Sequence, residues 1–267
     1  MPEQQPAPTD VTPERQMRTL TRRSFTVAAI AAAAGLGAWS WLTTAAPEDN
    51  VPWPLRRILG FNQWLAQGYA SPRHLAPTFS RALAQGTPRT NGLVGLSSEV
   101  QAAAWQVRVQ HAGRGAEQVI GLRTIQQLPR TDQVTELKCV EGWSEVMHFG
   151  GVRFVEFVTQ LSLATRSGLP LDPQANPNDL YRYVYLATPD ENYYVGLDIA
   201  SALHPQTILC DTMNGQPLTS SHGAPLRLYL TVKYGFKSLK RIGLIRFQDE
   251  RPRDYWAERG YDWYAGL

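Results

Sequence analysis

The chain has 267 residues, 43% of them hydrophobic and 18% charged, and its formal net charge is only +3. This length and apolar content are enough for one sizeable domain with a full core and additional terminal segments. The small net charge does not indicate a nucleic-acid-binding protein, because such proteins carry a strongly basic surface. The two cysteines, Cys139 and Cys210, allow one disulfide in an oxidising compartment, and the five histidines show no zinc-ligand spacing.

The first 46 residues have the features of a polar tail and a targeting signal. Residues 1–20 are polar and contain four prolines, which predicts disorder. Arg22 and Arg23 stand between Thr21 and Phe25, and the residues from 26 to 46 carry no charge. Paired arginines before such a run are typical of a twin-arginine export signal, which predicts the twin-arginine translocase as a partner. The uncharged run 24–47 also reaches the ~20 residues that span a bilayer, so cleavage and retention as an anchor both stay open.

Residues 47–84 form a predicted lead-in segment with one helix and one loop. The stretch from Val51 to Ala70 has apolar residues at roughly helical spacing, around the pair Arg56 and Arg57. That helix either packs on the domain or lies on a membrane surface. From residue 71 to 95 the frequent prolines and glycines predict a loop.

The remainder, residues 85–267, is predicted to form one domain of the α+β class that is rich in strand. Alternating runs predict strands, and apolar residues three and four apart predict helices. The expected elements are a strand at 105–109, a strand and short helix at 120–128, a helix at 154–163, a loop at 166–179, a strand at 181–186, a strand and short helix at 195–203, and strands at 227–232 and 243–247. Helices and strands do not alternate regularly, so the pattern is not that of a βαβ chain.

Two stretches carry candidate chemistry. In the first, Cys139 follows an apolar approach and precedes Glu141 and Trp143. A thiolate is a soft metal ligand and a nucleophile, while the alternative is a buried structural cysteine. In the second, between His222 and Lys240, three of the four lysines lie within eight positions, close to Arg227. This second stretch is either a solvated strand and turn or a cluster that faces a phosphate.

Together the two stretches resemble the molybdopterin domain of the sulfite oxidase superfamily, and more closely its bacterial periplasmic branch, the catalytic subunits of methionine-sulfoxide reductase. The likeness rests on Pro88-Arg-Thr-Asn91-Gly92, on Cys139-Val-Glu141-Gly-Trp-Ser144, and on Gly223-Ala-Pro-Leu-Arg227 with Lys233-Tyr-Gly-Phe-Lys-Ser-Leu-Lys240. It covers roughly residues 71–267. It implies a sulfite-oxidase-type fold, with no C-terminal dimerisation domain expected, and a monomer.

By this resemblance, Cys139 would give its thiolate to the molybdenum of a molybdenum–molybdopterin cofactor, and Glu141 would move protons near the metal. Arg227 would pair with a phosphate or the pterin, and the turn at Gly235 would bring backbone amides to an anion. The implied cofactor-binding residues are Asn91, Cys139, Thr188, His222, Arg227, Lys233, Ser238, Leu239 and Lys240. Cys210, at the end of an apolar run, is expected to be a buried free thiol.

The implied activity is molybdenum-dependent oxygen-atom transfer that reduces methionine sulfoxide or another S- or N-oxide, in the periplasm or on the outer face of the cytoplasmic membrane. The sequence has no Cys-x-x-Cys-His haem motif, so a haem-bearing membrane subunit is the expected electron donor. Two alternatives stay open. A sulfite oxidase is favoured by His222, which is asparagine in the reductase branch, and disfavoured by Glu141 close to the cysteine. A metal-free, membrane-anchored protein of the same fold is favoured by Leu93 and Val94, which stand near where that branch has an aromatic–acidic pair.

Overall fold

The computed structural model describes residues 13–84, 87–97, 100–172 and 176–267. The chain divides into two compact units, Met1–Arg57 and Ile58–Leu267. The predicted disorder of residues 1–20 falls partly outside the described residues, and the structure describes residues 13–20 as part of a helix. A helix begins at Pro13, because proline suits the first helical position and neither proline nor glycine follows before Gly35.

The elements follow one another irregularly along the chain. The helices are α1 (Pro13–Thr44), α2 (Trp53–Tyr69), α3 (Leu122–Gln126), α4 (Phe154–Gln160) and α5 (Ile199–Ala202). The strands are β1 (Pro47–Glu48), β2 (Val51–Pro52), β3 (Gln106–His111), β4 (Arg114–Gly121), β5 (Arg130–Lys138), β6 (Ser144–Arg153), β7 (Tyr183–Ala187), β8 (Tyr194–Asp198), β9 (Ile208–Met213), β10 (Gln216–Pro217), β11 (Arg227–Tyr229) and β12 (Leu244–Gln248).

The N-terminal unit contains a long apolar helix. The segment Ser24–Thr44 of α1 is 21 residues long, with a mean hydropathy of 1.5 and no buried side chain. Its length and composition suit a membrane span and equally a signal sequence. The hairpin β1–β2 follows. Trp41 meets Trp53 edge to face, with ring centroids 5.6 Å apart, so the end of α1 contacts the first residue of α2.

The larger unit contains two five-stranded sheets among its described residues. One has the strand order β10-β9-β6-β5, with β11 also paired to β9, and all its pairs are antiparallel. The other has the order β4-β3-β12-β7-β8, in which β12 and β3 run parallel and the other pairs antiparallel. The expected α+β architecture with much strand is confirmed.

The main core is built from both sheets and α4. The apolar residues at helical spacing in α4 put Phe154, Phe157 and Val158 on its buried side. A second cluster surrounds Cys210, which is fully buried, and both cysteines are free. The expectation of a buried free thiol at Cys210 is confirmed, and no disulfide joins it to Cys139.

The predicted elements are present, with shifted ends. One shift has a clear cause: β11 ends at Tyr229 instead of reaching Val232. Tyr229 pairs with Ile208, the first residue of β9, so the partner strand goes no further. A strand needs hydrogen bonds from a neighbouring strand to continue. The residue that ends the pairing, Ile208, lies about 20 residues earlier in the sequence, outside the local pattern of β11.

Helix α2 confirms the predicted helix, which packs on the domain through Ala66 and not through its large apolar side chains. It contains no buried residue. The domain-facing positions of its part within the larger unit are Leu59, Gln63 and Ala66, which are only half-buried. An apolar side packed on a core would have buried its large side chains, and in α2 these are exposed.

The aromatic C-terminal residues pack back on the domain. Trp263 and Tyr264 are buried in a small cluster with Ala257. The Trp263 Nε1 donates a 2.9 Å hydrogen bond to the carbonyl oxygen of Pro252, which satisfies the polar atom of this buried indole.

Candidate active site

A tight loop between β5 and β6 carries Cys139. The two strands pair along their whole length, from Arg130–Val152 to Lys138–Ser144. The amide of Cys139 then donates to the carbonyl of Trp143 at 2.9 Å, and the amide of Gly142 donates to the carbonyl of Cys139 at 3.1 Å. Gly142 has φ +86°, a conformation that favours glycine. The loop therefore fixes the thiol at the end of a rigid hairpin.

A hydrogen-bonded carboxylate lies beside the thiol. Glu141 accepts a 2.9 Å hydrogen bond from the Trp143 indole and contacts of 3.3 and 3.4 Å from the Asn91 amide. The same amide nitrogen lies 3.9 Å from the Cys139 sulfur. The indole first, and Asn91 second, lower the pKa of Glu141, while burial chiefly raises the pKa of the Cys139 thiol. Asn91, Cys139 and Glu141 are thus brought together as predicted.

A buried guanidinium belongs to the same site. Arg227 is 4% exposed. It donates to the backbone carbonyls of His222 at 3.1 Å and Ser238 at 3.3 Å, and its guanidinium carbon lies 5.0 Å from the Phe149 ring centroid. Burial lowers the pKa of Arg227. Among the described residues no carboxylate forms an ion pair with it.

Lys240 is a second cation close to Arg227. Its Nζ donates to the backbone carbonyls of Asn91 at 2.7 Å, Ser221 at 2.9 Å and Gly92 at 3.0 Å. Burial, together with the charge of Arg227, lowers the pKa of Lys240 to about 8. Nowhere in the described ranges does a carboxylate neutralise it, so two unneutralised cations stand side by side.

These groups line one cavity of about 170 Å³. Seven of the predicted residues line it, namely Asn91, Cys139, Glu141, His222, Arg227, Ser238 and Lys240. The His222 Nδ1 is 2.8 Å from the Thr219 hydroxyl, and burial first and Lys240 second lower the pKa of His222. The cavity therefore joins a thiol and a carboxylate at the loop to buried cations of the 222–240 segment.

Three predicted binding residues do not line this cavity. Thr188 is buried elsewhere, and its hydroxyl donates to Asp190 at 2.6 Å. Leu239 lies in the main core. The Lys233 ammonium is 3.6 Å from the Asp198 carboxylate, in the interior. The Thr188 hydroxyl makes its hydrogen bonds within its own turn, to Asp190 and a backbone amide, instead of facing this cavity.

The predicted phosphate-facing lysine cluster is also wrong as a set. Of its three lysines only Lys240 joins Arg227 at the cavity. Lys233 and Lys237 turn inward, and Lys237 pairs with the fully buried Asp254 at 2.5 Å. A buried ammonium requires such a partner, and both partner carboxylates come from distant parts of the chain. The alternative of a solvated strand and turn is wrong as well, because Arg227, Lys233 and Lys237 are buried.

The sequence did not point to several lining residues. Arg89 stacks over Trp143, with its guanidinium carbon 4.8 Å from the ring centroid, and its amide donates to Glu145 at 3.0 Å. The cavity is also lined by Tyr193, Trp256 and Tyr261. Arg89 stands inside the motif around Asn91, but the motif did not assign it a role.

The residues present fit an anionic cofactor that brings its own metal ligands. The Arg227 Nε is buried and makes no hydrogen bond within the described residues, which leaves a donor and a charge for an incoming phosphate. No group of three or more His, Cys, Asp or Glu in those same residues could hold a metal ion alone. A metal at Cys139 would thus need further donors from a cofactor, and a thiolate suits such a soft site.

A thiol-bearing loop thus faces the buried Arg227 and the half-buried Lys240 across one cavity, an arrangement that fits an anionic cofactor, and the α+β fold is of the sulfite-oxidase type. The chain belongs to the family described as the oxidoreductase molybdopterin binding domain, whose model matches residues 94–256. The chain is therefore an oxidoreductase enzyme, and the predicted family is confirmed.

Among similar proteins is one of Azospira oryzae, provisionally named protein-methionine-sulfoxide reductase subunit YedZ1, 30% identical over 86% of this chain and 84% of its own length. The protein-methionine-sulfoxide reductase catalytic subunit MsrP of Ralstonia nicotianae is 27% identical over 88% of this chain and 73% of its own. That of Xanthomonas campestris is 37% identical over 48% of this chain and 39% of its own. The sulfane dehydrogenase SoxCD of Paracoccus pantotrophus aligns over 58% of this chain and 41% of its own, with 14% identity and a TM-score of 0.46.

Proposed function

We propose that this oxidoreductase reduces methionine sulfoxide or a related neutral S- or N-oxide outside the cytoplasm, using molybdenum–molybdopterin. The observation that carries the proposal is the contact of the Glu141 carboxylate with Asn91, whose amide also faces the Cys139 sulfur. A carboxylate near the thiol suits a neutral substrate better than an anion. The names of the relatives, which refer to methionine-sulfoxide reduction, support the same substrate class.

Each lining residue has a task in this proposal. Arg227 and Lys240 hold the anionic part of the cofactor, and Cys139 supplies a thiolate ligand. When bound, molybdenum–molybdopterin supplies two-electron oxygen-atom transfer. Reduction of a sulfoxide to a sulfide and water consumes two electrons and two protons. Glu141, oriented by Trp143 and Asn91, exchanges protons at its carboxylate oxygens with the reacting oxygen.

The replacement Glu141→Gln tests this assignment. We expect sulfoxide reduction to slow by about 100-fold, because the proton-exchanging carboxylate is lost. Molybdenum content should stay at the wild-type level, since Glu141 is not a metal ligand, and any sulfite oxidation should rise because a negative charge is removed. Steady-state turnover of both substrates with artificial electron carriers, alongside metal analysis, measures these effects.

Glu145→Gln is the matched control, because Glu145 lines the same cavity but accepts its hydrogen bond from the Arg89 amide. Its effect on sulfoxide turnover should be much smaller. Efficient sulfite oxidation by the wild type without sulfoxide turnover would instead establish a sulfite oxidase. Both His222 and Arg89 line the cavity and would suit an anionic substrate.

The proposal includes a haem-bearing membrane protein as electron donor, since the sequence contains no Cys-x-x-Cys-His motif. It also includes export by the twin-arginine translocase. The motivation is the pair Arg22 and Arg23 directly before the uncharged segment of α1. That route transports folded proteins, as an enzyme loaded with its cofactor in the cytoplasm requires.

Replacement of Arg22 and Arg23 by lysine should leave the protein in the cytoplasm, folded and loaded with cofactor. Cell fractionation with immunodetection measures the distribution. The chain offers a matched control in its other arginine pair, because Arg56→Lys with Arg57→Lys makes the same chemical change outside the signal and should not alter export. If the variant carrying both Arg22→Lys and Arg23→Lys is exported like the wild type, the twin-arginine assignment is wrong.

A further inference from the structure

Helix α2 presents its apolar side away from the protein. Its largest exposed apolar side chains within the larger unit are Ile58, Phe61, Trp64, Leu65 and Tyr69, with exposed fractions between 49% and 69%. The residues toward the domain are Leu59, Gln63 and Ala66. A surface helix of a globular protein normally turns its large apolar residues inward. In α2 the large apolar residues point outward instead. Their exposed surface would be more stable in contact with another apolar phase than with water.

The charges on α2 and in the residues after it are basic, while Asp49, before the helix, pairs with Arg56 at 3.8 Å. From residue 51 to 98 the sequence contains five arginines and no aspartate or glutamate. Arg57 on the helix and Arg73 just beyond it are exposed. Tryptophan and tyrosine prefer the boundary between water and lipid, and arginines near it are attracted to anionic headgroups. The composition of this segment therefore matches a helix that lies in the surface of an anionic bilayer.

The apolar segment of α1 ends a short distance before α2 along the chain. Eight residues, 45–52, separate the apolar segment Ser24–Thr44 from the beginning of α2. Within the N-terminal unit, Trp41 of that segment contacts Trp53, the first residue of α2. If the apolar segment spans a bilayer, the surface of that bilayer therefore lies near Trp53, where α2 begins.

We propose that the outward side of α2, formed by Ile58, Phe61, Trp64 and Leu65, lies in the headgroup region of an anionic lipid bilayer. This contact holds the oxidoreductase domain at the membrane surface. It requires no turnover, so its test is independent of the proposed function.

The test uses the full-length chain reconstituted into vesicles of phosphatidylcholine and phosphatidylglycerol with brominated acyl chains. In a Cys139→Ser background, a nitrobenzoxadiazole label is attached at Phe61→Cys or at Gln67→Cys. Gln67 is exposed on the same helix, about 120° around its axis from Phe61. We expect bromolipid quenching at position 61 to be at least about twofold that at position 67, with a blue-shifted emission at position 61 only.

Both alternatives to lipid contact overturn the proposal. Absence of quenching at position 61 in vesicles that hold the chain would show that the apolar segment alone attaches it, and that the outward side of α2 serves a protein partner. Equal quenching at both positions would show that α2 does not lie with one side toward the lipid. Labelled chain in detergent without brominated lipid provides the baseline for each position.

Discussion

Replacement of Cys139 by serine is expected to reduce turnover by more than about 100-fold, since changes to residues that merely support a metal ligand already cost 10–100-fold. Cys139 is the proposed thiolate ligand, and a hydroxyl is a harder and more basic donor. The metal's absorption spectrum should change and molybdenum should fall below one per chain. Metal analysis, absorption spectroscopy and sulfoxide turnover of purified protein measure the three effects.

Cys210→Ala is the matched control for this experiment. Cys210 is the other thiol of the chain, but it is fully buried in the cluster around Phe149 and Tyr229. Its replacement should cost some stability through the small cavity it leaves, while turnover per folded molecule and metal content should remain. Full activity of Cys139→Ser, or equal losses for both variants, would contradict the assignment of Cys139 as the metal ligand.

Replacement of Asp254 by alanine is expected to lower the free energy of unfolding by about 3–5 kcal/mol, because it leaves the buried Lys237 ammonium without its partner. Both side chains are fully buried, and their charged atoms lie 2.5 Å apart. Asp254 also accepts hydrogen bonds from the amides of Gly196, Trp256 and Ala257. The carboxylate thus joins β8, the turn at Lys237 and the C-terminal residues. Urea unfolding followed by far-ultraviolet circular dichroism measures the loss.

Two further variants separate the charge from the lost hydrogen bonds. Lys237→Met added to Asp254→Ala removes the unpaired ammonium, and we expect it to recover at least about 1 kcal/mol. Arg253→Gln breaks the solvent-exposed pair of Arg253 and Glu258, where the expected cost is below about 1 kcal/mol. If Asp254→Ala costs no more than Arg253→Gln, the buried pair does not secure the C-terminal residues.

The chemistry of Cys139 and Glu141 could be predicted from the sequence because its signals are local, whereas the strands β5 and β6 that hold these residues were not predicted. An apolar approach, Cys139, Glu141 and a glycine lie within a few residues, and Gly142 needs the positive φ that closes the hairpin. The helical spacing of α4 and the alternation in β3 were local for the same reason, since each period requires only a short window. Shifted ends, as in β11, arose where a partner strand from another part of the chain sets the limit.

The tertiary structure decided which of several similar residues belong to the site. Lys233, Lys237 and Lys240 have the same chemistry and lie close together in sequence, yet the ammonium of each has a different environment. Lys233 and Lys237 are buried in ion pairs with Asp198 and Asp254. Of the three lysines, only Lys240 lines the cavity with Arg227. Arg89 and the tail aromatics likewise became lining residues only through long-range packing.

The sequence by itself determined the class of enzyme (through the motifs that carry the family resemblance), the local order of Cys139 and Glu141, and the presence of the helix α2, because each depends on residue types at short spacings. Only the tertiary structure decided which cations remain unneutralised at the cavity and which side of α2 faces outward. Those outcomes depend on which residues elsewhere in the chain form ion pairs with the buried cations and cover the apolar side chains. A local sequence pattern does not contain that information.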